Sequence, residues 1–315
     1  MNKLPVFKTT GQVFGFVVER RFFTLLRLVW FPSLLAMIFS ILPAIYVFAK
    51  YGTVPQKFEH QIVGVKVNLE VGADPVIAGL DLLNFIASML LGAIVAVSIH
   101  RLILLDDRKP GTFFNLRLTG QEWLYILAWI LYFVVMMLAF APIYGHLLYS
   151  VHGQLQSLPW NDPEAVSKVL APALNDPRTA VAFGLSILFM FVVLVRFGLV
   201  FPIIVAENRL SFGRSWVLTR GNFWRLILFW ILVIILGFIL LMVMMAIIVF
   251  AVAAMFGSVL LGGQTVGALG ILVFIVPAAV AFLVYFVIAV AIFVAALSFS
   301  YRALAGPRAQ EAEFE

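Results

Sequence analysis

Side chains that could perform catalysis or bind a metal are few in this chain of 315 residues, and they are far apart. No histidine has another histidine or a carboxylate three or four positions away, which is the spacing that places metal ligands on one helical face. The chain has no cysteine, so thiolate ligands and cysteine nucleophiles are excluded. Nucleophile-elbow, phosphate-loop and dinucleotide-binding glycine motifs are missing too. The sequence therefore predicts a protein that is not an enzyme, with no cofactor and no metal site.

Arg196 is the charged residue whose position is most costly. It lies about four residues, or ~6 Å along a helix, past the midpoint of a long apolar stretch. An arginine near the centre of a bilayer costs roughly 2.5–3.5 kcal/mol on insertion scales, so its side chain should face other helices or water. Glu122 and Glu207 are candidate partners. Three roles stay open, namely a structural ion pair, snorkelling to the interface, and a transport gate or substrate-anion contact.

A second group of polar residues repeats at helical spacing. Asn84, Ser88, Gly92, Ala96 and His100 occur at every fourth position, so they lie on one side of a helix. Small residues allow two helices to approach closely, and asparagine and serine can form hydrogen bonds between helices. The pattern predicts either a packing face or a polar pathway through a helical bundle.

Three arginines form a third group, Arg214, Arg220 and Arg225. Ser211–Thr219 combines aromatic and basic residues as expected of a short helix on the cytoplasmic surface, and Gly221 permits a sharp turn after it. The arginines suit anionic lipid headgroups. Anchoring by positive charge at the cytoplasmic face explains the same residues without a bound lipid.

Six long apolar stretches must position these side chains. A bilayer core of about 30 Å is crossed by roughly 20 apolar helical residues, and each stretch is long enough. Unbroken runs of this length are not the strands of a barrel, which is the other structure that satisfies its backbone hydrogen bonds in lipid. The predicted fold is therefore all-α, a polytopic bundle of six transmembrane helices with interfacial helices on the cytoplasmic side. The predicted spans are Leu28–Ala49, Val76–Leu105, Trp123–Leu148, Ala180–Val205, Leu226–Met255 and Ile271–Phe299.

Composition and charge distribution agree with a membrane location. Hydrophobic residues make up 64% of the chain, charged residues make up 11%, and the mean hydropathy is +1.11. Soluble domains carry roughly 25% charged residues. The net charge of +6 reflects topology rather than nucleic-acid binding, because sixteen of the 21 lysines and arginines fall on one side of the predicted spans. Positive charge near span ends stays cytoplasmic, so both termini are predicted to be cytoplasmic.

The chain divides into three predicted regions. Residues 1–27 form a cytoplasmic amphipathic lead-in, residues 28–302 form the transmembrane domain, and residues 303–315 form a flexible cytoplasmic tail. The lead-in contains a helix over Thr10–Leu26 in the membrane interface, which either anchors the first span or senses curvature or anionic lipid. Alternating apolar and polar residues in Gln61–Val71 indicate a short strand or hairpin on the outer side.

The sequence also contains an internal repeat. A shift of about 101 residues aligns segment 101–131 with segment 202–232 and pairs Trp123 with Trp224. Both copies lead from a basic segment into a span from the same side, which predicts parallel hairpins related by an axis along the membrane normal. Such repeats occur in transporters and in proteins that grew by duplication, so the repeat does not decide between functions.

One stretch, Glu207–Leu226, resembles a known family. An acidic residue is followed by a serine, then by Leu-Thr-basic-Gly, then by an asparagine or a basic residue, and then by an aromatic residue that opens a span. This pattern is similar to the membrane domain associated with bacterial glycerophosphodiester phosphodiesterases and to related stand-alone inner-membrane proteins of poorly defined function. The matching residues are Glu207, Ser215, Leu218, Thr219, Arg220, Gly221 and Phe223. The resemblance implies a helical domain of the bacterial inner membrane. It does not imply phosphodiesterase activity, because the catalytic domain is missing from this sequence.

The sequence thus predicts a non-catalytic protein of the bacterial inner membrane that acts as a scaffold, a lipid-interacting protein or an accessory subunit. Its predicted partners are the bilayer, with anionic phospholipid headgroups, and another membrane protein, whereas nucleic acid is not predicted. The alternative is a small transporter or channel with a polar path flanked by Asn84, His100 and Arg196. A membrane enzyme would need acid, base or metal groups clustered at one interface, and the sequence shows no such cluster.

Overall fold

The computed structural model describes residues 2–18, 22–51, 61–62, 65–66, 74–107, 114–152, 163–261 and 268–306. The helices in this part of the chain are α1 (Val6–Val18), α2 (Phe22–Tyr51), α3 (Pro75–Leu104), α4 (Gly120–Ala139), α5 (Ala141–Val151), α6 (Pro163–Asn175), α7 (Pro177–Phe197), α8 (Val200–Glu207), α9 (Phe212–Thr219), α10 (Phe223–Leu261) and α11 (Ala268–Ala305). Two short strands, β1 (Gln61–Ile62) and β2 (Val65–Lys66), pair antiparallel, with Gln61 opposite Lys66.

Six helical segments of the described residues are long and apolar enough to cross a membrane. They are Phe22–Val47, Pro75–Leu104, Gly120–Ala139, Pro177–Glu207, Phe223–Phe250 and Pro277–Ala305. The predicted all-α fold with six spans is therefore confirmed, and the segments support a multi-pass membrane protein.

Two of the predicted spans are interrupted. The stretch Trp123–Leu148 divides at Phe140, where α4 ends and α5 begins with Pro142 in its first turn. Proline has no N–H to donate but fits the first turn of a helix, so it marks a new start. The stretch Ala180–Val205 divides between α7 and α8, which are separated by Gly198 and Leu199. Hydropathy does not detect such breaks because the residues on both sides remain apolar.

The N-terminal region also differs from its prediction. Helix α1 ends at Val18, and α2, which carries the first span, already begins at Phe22 rather than at Leu28. The side chains of Val13 and Val17 are at most 1% exposed, because the apolar face of α1 packs against α10 and α11. This part of the helix is covered by protein. An amphipathic pattern looks the same whether its apolar side meets lipid or a neighbouring helix.

The predicted C-terminal tail falls mostly outside the described residues. Helix α11 continues to Ala305, so the tail begins later than position 303, and residues 307–315 are among those the structure does not describe. The charged residues 19–21 of the lead-in are likewise outside the described part.

Two spans begin with the same local signal. Asp74 precedes Pro75 at the start of α3, and its Oδ1 accepts the backbone N–H of Val76 at 2.9 Å. Asp176 precedes the first residue of α7, and its Oδ1 accepts the backbone N–H of Arg178 at 2.8 Å. An aspartate before a proline satisfies one of the free N–H groups of the first turn, while the proline has none to satisfy.

Contacts divide the chain into two compact units. Unit 1 comprises Met1–Met37, Leu90–Ile126 and Gly198–Glu315, and unit 2 comprises Ile38–Met89 and Leu127–Phe197. In unit 1, α10 packs on α11, α1 packs on both, and α8 and α9 also pack on α11. In unit 2, α7 packs on α5 and α6.

Candidate functional site

The polar networks of interest lie in unit 1. We use the term basic side for the N-terminal segment, residues 101–122 and 206–225, and the end of α11, which are the segments predicted from sequence to be cytoplasmic. Their described residues all belong to unit 1.

Glu122 belongs to a buried network at the start of α4. Its Oε2 accepts the backbone N–H of Thr119 at 2.6 Å and also accepts the Thr119 hydroxyl, which is the Thr-x-x-Glu arrangement of a capping box. Its Oε1 lies 3.1 Å from Nη1 of Arg101, and the Glu122 side chain is only 1% exposed. Arg101 also donates from Nε to Gln121 Oε1 at 2.9 Å and from Nη2 to Thr119 Oγ1 at 3.0 Å. The network pairs the buried Glu122 carboxylate with a positive charge and holds the Arg101 guanidinium in one orientation.

The described partners of Glu122 differ from the partner that the sequence suggested. Arg101 is its ion-pair partner, whereas Arg196 was the residue proposed from hydropathy. Arg196 is half-buried and lies in the last turn of α7, in unit 2. A cation is favourable there because the carbonyl groups at a helix C-terminus carry partial negative charge.

Glu207, the last residue of α8, is the centre of a second network. Its Oε2 accepts a hydrogen bond from Arg209 Nη2 at 2.6 Å. Its Oε1 accepts the Tyr301 hydroxyl at 3.0 Å and the Arg214 Nε–H at 3.3 Å. Asn208 follows in the left-handed conformation, with φ of 48°. Arg214 therefore joins α9 to the end of α8 through an ion pair with Glu207.

The face of α3 that contains His100 contributes hydrogen bonds to packing. The His100 side chain is fully buried, with Nδ1 2.7 Å from Ser298 Oγ and Nε2 3.4 Å from the Tyr125 hydroxyl. These contacts connect α3 with α11 and α4. Nearer the other end of α3, in unit 2, the Ser88 hydroxyl donates to Asn84 Oδ1 at 3.2 Å within the helix. Each of these polar groups therefore has a partner within the protein.

Asn222, immediately before α10, holds the N-terminal segment in place. Its amide oxygen accepts the backbone N–H of Leu4 at 3.0 Å, and its amide nitrogen donates to the carbonyl of Asn2 at 3.0 Å. Arg225 Nη1 donates to the Leu4 carbonyl at 3.2 Å. Asn222 is 3% exposed and the Leu4 side chain is fully buried. The contacts therefore place Lys3 beside the first turn of α10.

The two segments joined by this contact carry only positive charges on their side chains. We call Lys3, Lys8, Arg220 and Arg225, which are all exposed, the cationic face. Segments 2–18 and 210–230 contain no aspartate or glutamate. Trp224 lies in the same region and is 77% exposed. The turn into α10 depends on a glycine, since position 221 has φ of 78°.

Asn115 stabilises the first span from a neighbouring loop. Its Nδ2 donates to the carbonyl of Leu28 at 2.9 Å and to Ser98 Oγ at 3.0 Å. The Leu28 carbonyl lies four residues before Pro32, which has no N–H to offer it. The side-chain amide therefore supplies the hydrogen bond that proline removes from α2.

Replacing Asn115 with alanine is expected to lower the free energy of unfolding by about 1–3 kcal/mol, because it leaves a buried carbonyl without a donor. In a Pro32→Ala background the loss should be smaller, since the new backbone N–H at position 32 can bond to the Leu28 carbonyl. Denaturation by SDS titration from mixed micelles measures both effects. Equal losses in the two backgrounds would show that the Leu28 carbonyl is not what Asn115 satisfies.

Sequence reasoning named Glu122, Glu207 and His100, but it missed other residues that organise these networks. Thr119-x-x-Glu122 is a recognisable capping-box spacing and could have assigned Glu122 to the start of α4. Arg101, Asn115 and Asn222 carry no such signal, because their partners are backbone groups or side chains distant in sequence. Within the described residues, no group of three or more histidines, aspartates and glutamates is arranged to hold a metal ion.

Comparison with known proteins gives no relative for this arrangement. No protein-family model, no curated protein and no solved structure matches the chain.

Proposed function

We propose that this chain is a non-catalytic multi-pass protein of the bacterial inner membrane whose cationic face binds the headgroups of anionic phospholipids. In this role it would act as a lipid-interacting scaffold or accessory subunit, with both termini in the cytoplasm. The observation that carries the proposal is the contact of Asn222 and Arg225 with residues 2–4. This contact assembles one positively charged surface from two segments that are distant in sequence.

The electrostatics of this surface favour anionic lipid. Each lysine or arginine near an anionic bilayer surface contributes about 1 kcal/mol of attraction. The segments on either side of the contact contain no acidic residue that would reduce this attraction. Trp224 is exposed beside Arg225, and aromatic rings of this kind prefer the level of the headgroups. The positive charges of the cationic face and the exposed Trp224 ring therefore favour the same location, where the basic side meets the bilayer.

We assign Arg220 and Arg225 to lipid rather than Arg214. The Arg214 side chain is half-buried and bonded to the Glu207 carboxylate, whereas Arg220, which follows α9, and Arg225, in α10, are exposed. The transporter alternative needs a water-accessible path past His100. The full burial of His100 and its bond to Ser298 favour a packing role instead.

The double variant Arg220→Gln/Arg225→Gln should weaken binding of phosphatidylglycerol roughly 10- to 30-fold, because two headgroup cations are removed. Native mass spectrometry of the protein with phosphatidylglycerol and with phosphatidylcholine measures retained lipid directly. The matched control is Lys168→Gln/Arg178→Gln, which removes two exposed cations from unit 2. The proposal is wrong if both double variants retain phosphatidylglycerol as well as the wild type does.

A further inference from the structure

A cleft of about 370 Å³ opens on the basic side, next to the network of Arg101 and Glu122. The residues that give it its polar character are Arg101, Asp107, Arg117, Thr119, Gln121 and Asn208. Ligand pockets in proteins have volumes of roughly 300–1,000 Å³, so a small molecule or a headgroup fits. The cleft shares no residue with the cationic face, and it belongs entirely to unit 1.

The Arg101 guanidinium is held in one orientation at the wall of this cleft. Its contacts to Glu122, Gln121 and Thr119 use one N–H on each of its nitrogens. Each terminal nitrogen of a guanidinium has a second N–H. The side chain is 14% exposed, so part of it is open to the cleft. A donor that is already ordered loses little conformational entropy when a ligand binds.

Arg117 supplies a second guanidinium to the same cleft and is itself exposed. Guanidinium groups bind phosphate oxygens in a planar, two-pronged geometry, and pairs of arginines are a common means of phosphate recognition. Glu122 is buried behind Arg101 and does not line the cleft. The lining, as far as the structure describes it, thus carries two arginines and one carboxylate, that of Asp107. This balance suits a single phosphate group better than a polyphosphate, which Asp107 would repel.

The remaining wall is fixed by the ends of two helices. Gln121 Nε2 donates to the carbonyl of Val205 at 3.3 Å, which connects the start of α4 to α8. Asn208 follows α8 in the left-handed conformation and also lines the cleft. The two sides of the cleft are therefore tied together, and the cleft is formed before any ligand arrives.

We propose that this cleft binds the phosphate group of a small ligand, with Arg101 and Arg117 as the two donors. The phosphate belongs either to a soluble molecule or to a lipid headgroup that reaches the cleft from the bilayer surface. Arg101 is the fixed donor, and Arg117 closes on the phosphate from the exposed edge.

The test uses the full chain in phosphatidylcholine nanodiscs, with inorganic phosphate in one arm and incorporated phosphatidylglycerol in the other. Calorimetry or ³¹P NMR line broadening follows the soluble ligand, and native mass spectrometry follows the lipid. Arg117→Gln is expected to weaken binding about 10-fold in at least one arm, and the arm affected identifies the source of the phosphate. Arg101→Lys, which keeps a charge beside Glu122 but removes the planar donor pair, should weaken the same arm.

The control variant is Arg220→Gln/Arg225→Gln, which alters the cationic face only. Loss of phosphatidylglycerol in this control but not in Arg117→Gln would assign lipid binding to the cationic face. Two outcomes would show that the cleft is not a phosphate site. In the first, Arg117→Gln leaves both lipid retention and phosphate binding unchanged. In the second, the wild type shows no saturable binding of inorganic phosphate and retains no more lipid than Arg117→Gln does. Arg117→Lys guards against a folding defect, because it should recover part of the affinity.

Discussion

Replacing Arg101 with methionine is expected to lower the free energy of unfolding by about 3–5 kcal/mol. The Glu122 carboxylate is 1% exposed and lies 3.1 Å from the Arg101 guanidinium, so the substitution leaves a buried charge without its counter-ion. The bonds from Thr119 remain, but they are made by neutral donors and do not balance the charge. SDS titration from mixed micelles measures the change.

Two further variants separate the ion pair from simple packing. Arg101→Lys should cost less than Arg101→Met, because it keeps the positive charge while it loses the bonds to Gln121 and Thr119. Arg101→Met combined with Glu122→Gln should recover part of the loss, since the unpaired charge is removed as well. Strict additivity of the two single substitutions would contradict direct coupling between these residues.

Replacing Asn222 with leucine is expected to cost about 2–4 kcal/mol, because the buried N–H of Leu4 and the carbonyl of Asn2 both lose their partner. The N-terminal segment should then detach from the first turn of α10. Hydrogen exchange of the Leu4 amide should accelerate, and phosphatidylglycerol retention should fall because Lys3 is no longer held beside Arg225.

Arg225→Gln is the matched control for the stability and hydrogen-exchange effects. It does not control for lipid retention, because Arg225 itself belongs to the cationic face. Within the protein it removes the 3.2 Å contact with the Leu4 carbonyl, which comes from an exposed side chain, and it should cost less than about 1 kcal/mol. Unchanged protection of the Leu4 amide in Asn222→Leu would mean that the packing of α1 alone holds the segment.

Hydropathy predicted the spans because lipid leaves few alternatives to a helix for a run of roughly 20 apolar residues. It did not predict the breaks at Phe140 and Gly198, since a break changes backbone hydrogen bonding and leaves the average polarity unchanged. It also could not show what the apolar face of α1 contacts, because lipid and protein are equally apolar neighbours. Val13 and Val17 are buried by helices that lie more than 200 positions away in the chain.

The candidate site was predicted less well than the spans, because hydropathy does not show which side chains are in contact. Span-by-span reasoning named Glu122 and Glu207 as candidate partners of Arg196. The described contacts of Glu122 are instead with Thr119 and Arg101, which lie closer to it in sequence. The arginines at 214, 220 and 225 were named together because each is a basic residue near a span. Their sequence context is similar, and only their contacts separate them. Arg214 is bonded to Glu207, whereas Arg225 contacts the N-terminal segment.

The internal repeat stays a prediction, and local geometry adds to the reasons for it. The Asp-Pro pairs that begin α3 and α7 lie about 102 positions apart, close to the shift that aligns the basic segments. Asp106 and Asn208, which follow α3 and α8, both have positive φ values, 51° and 48°. Both features mark the start or the end of a helix. They therefore concern the duplication of the chain and not what the protein binds.

The most direct test of the membrane topology uses single cysteines, which is straightforward because the natural chain has none. Lys8→Cys and Arg302→Cys place a thiol at exposed positions of the basic side, and Tyr149→Cys places one at a 79% exposed position near the end of α5. In intact cells a membrane-impermeant maleimide should label Tyr149→Cys only, and permeabilised cells should label all three variants. Labelling of Lys8→Cys or Arg302→Cys in intact cells would contradict a cytoplasmic basic side and, with it, the proposed contact with inner-leaflet lipid.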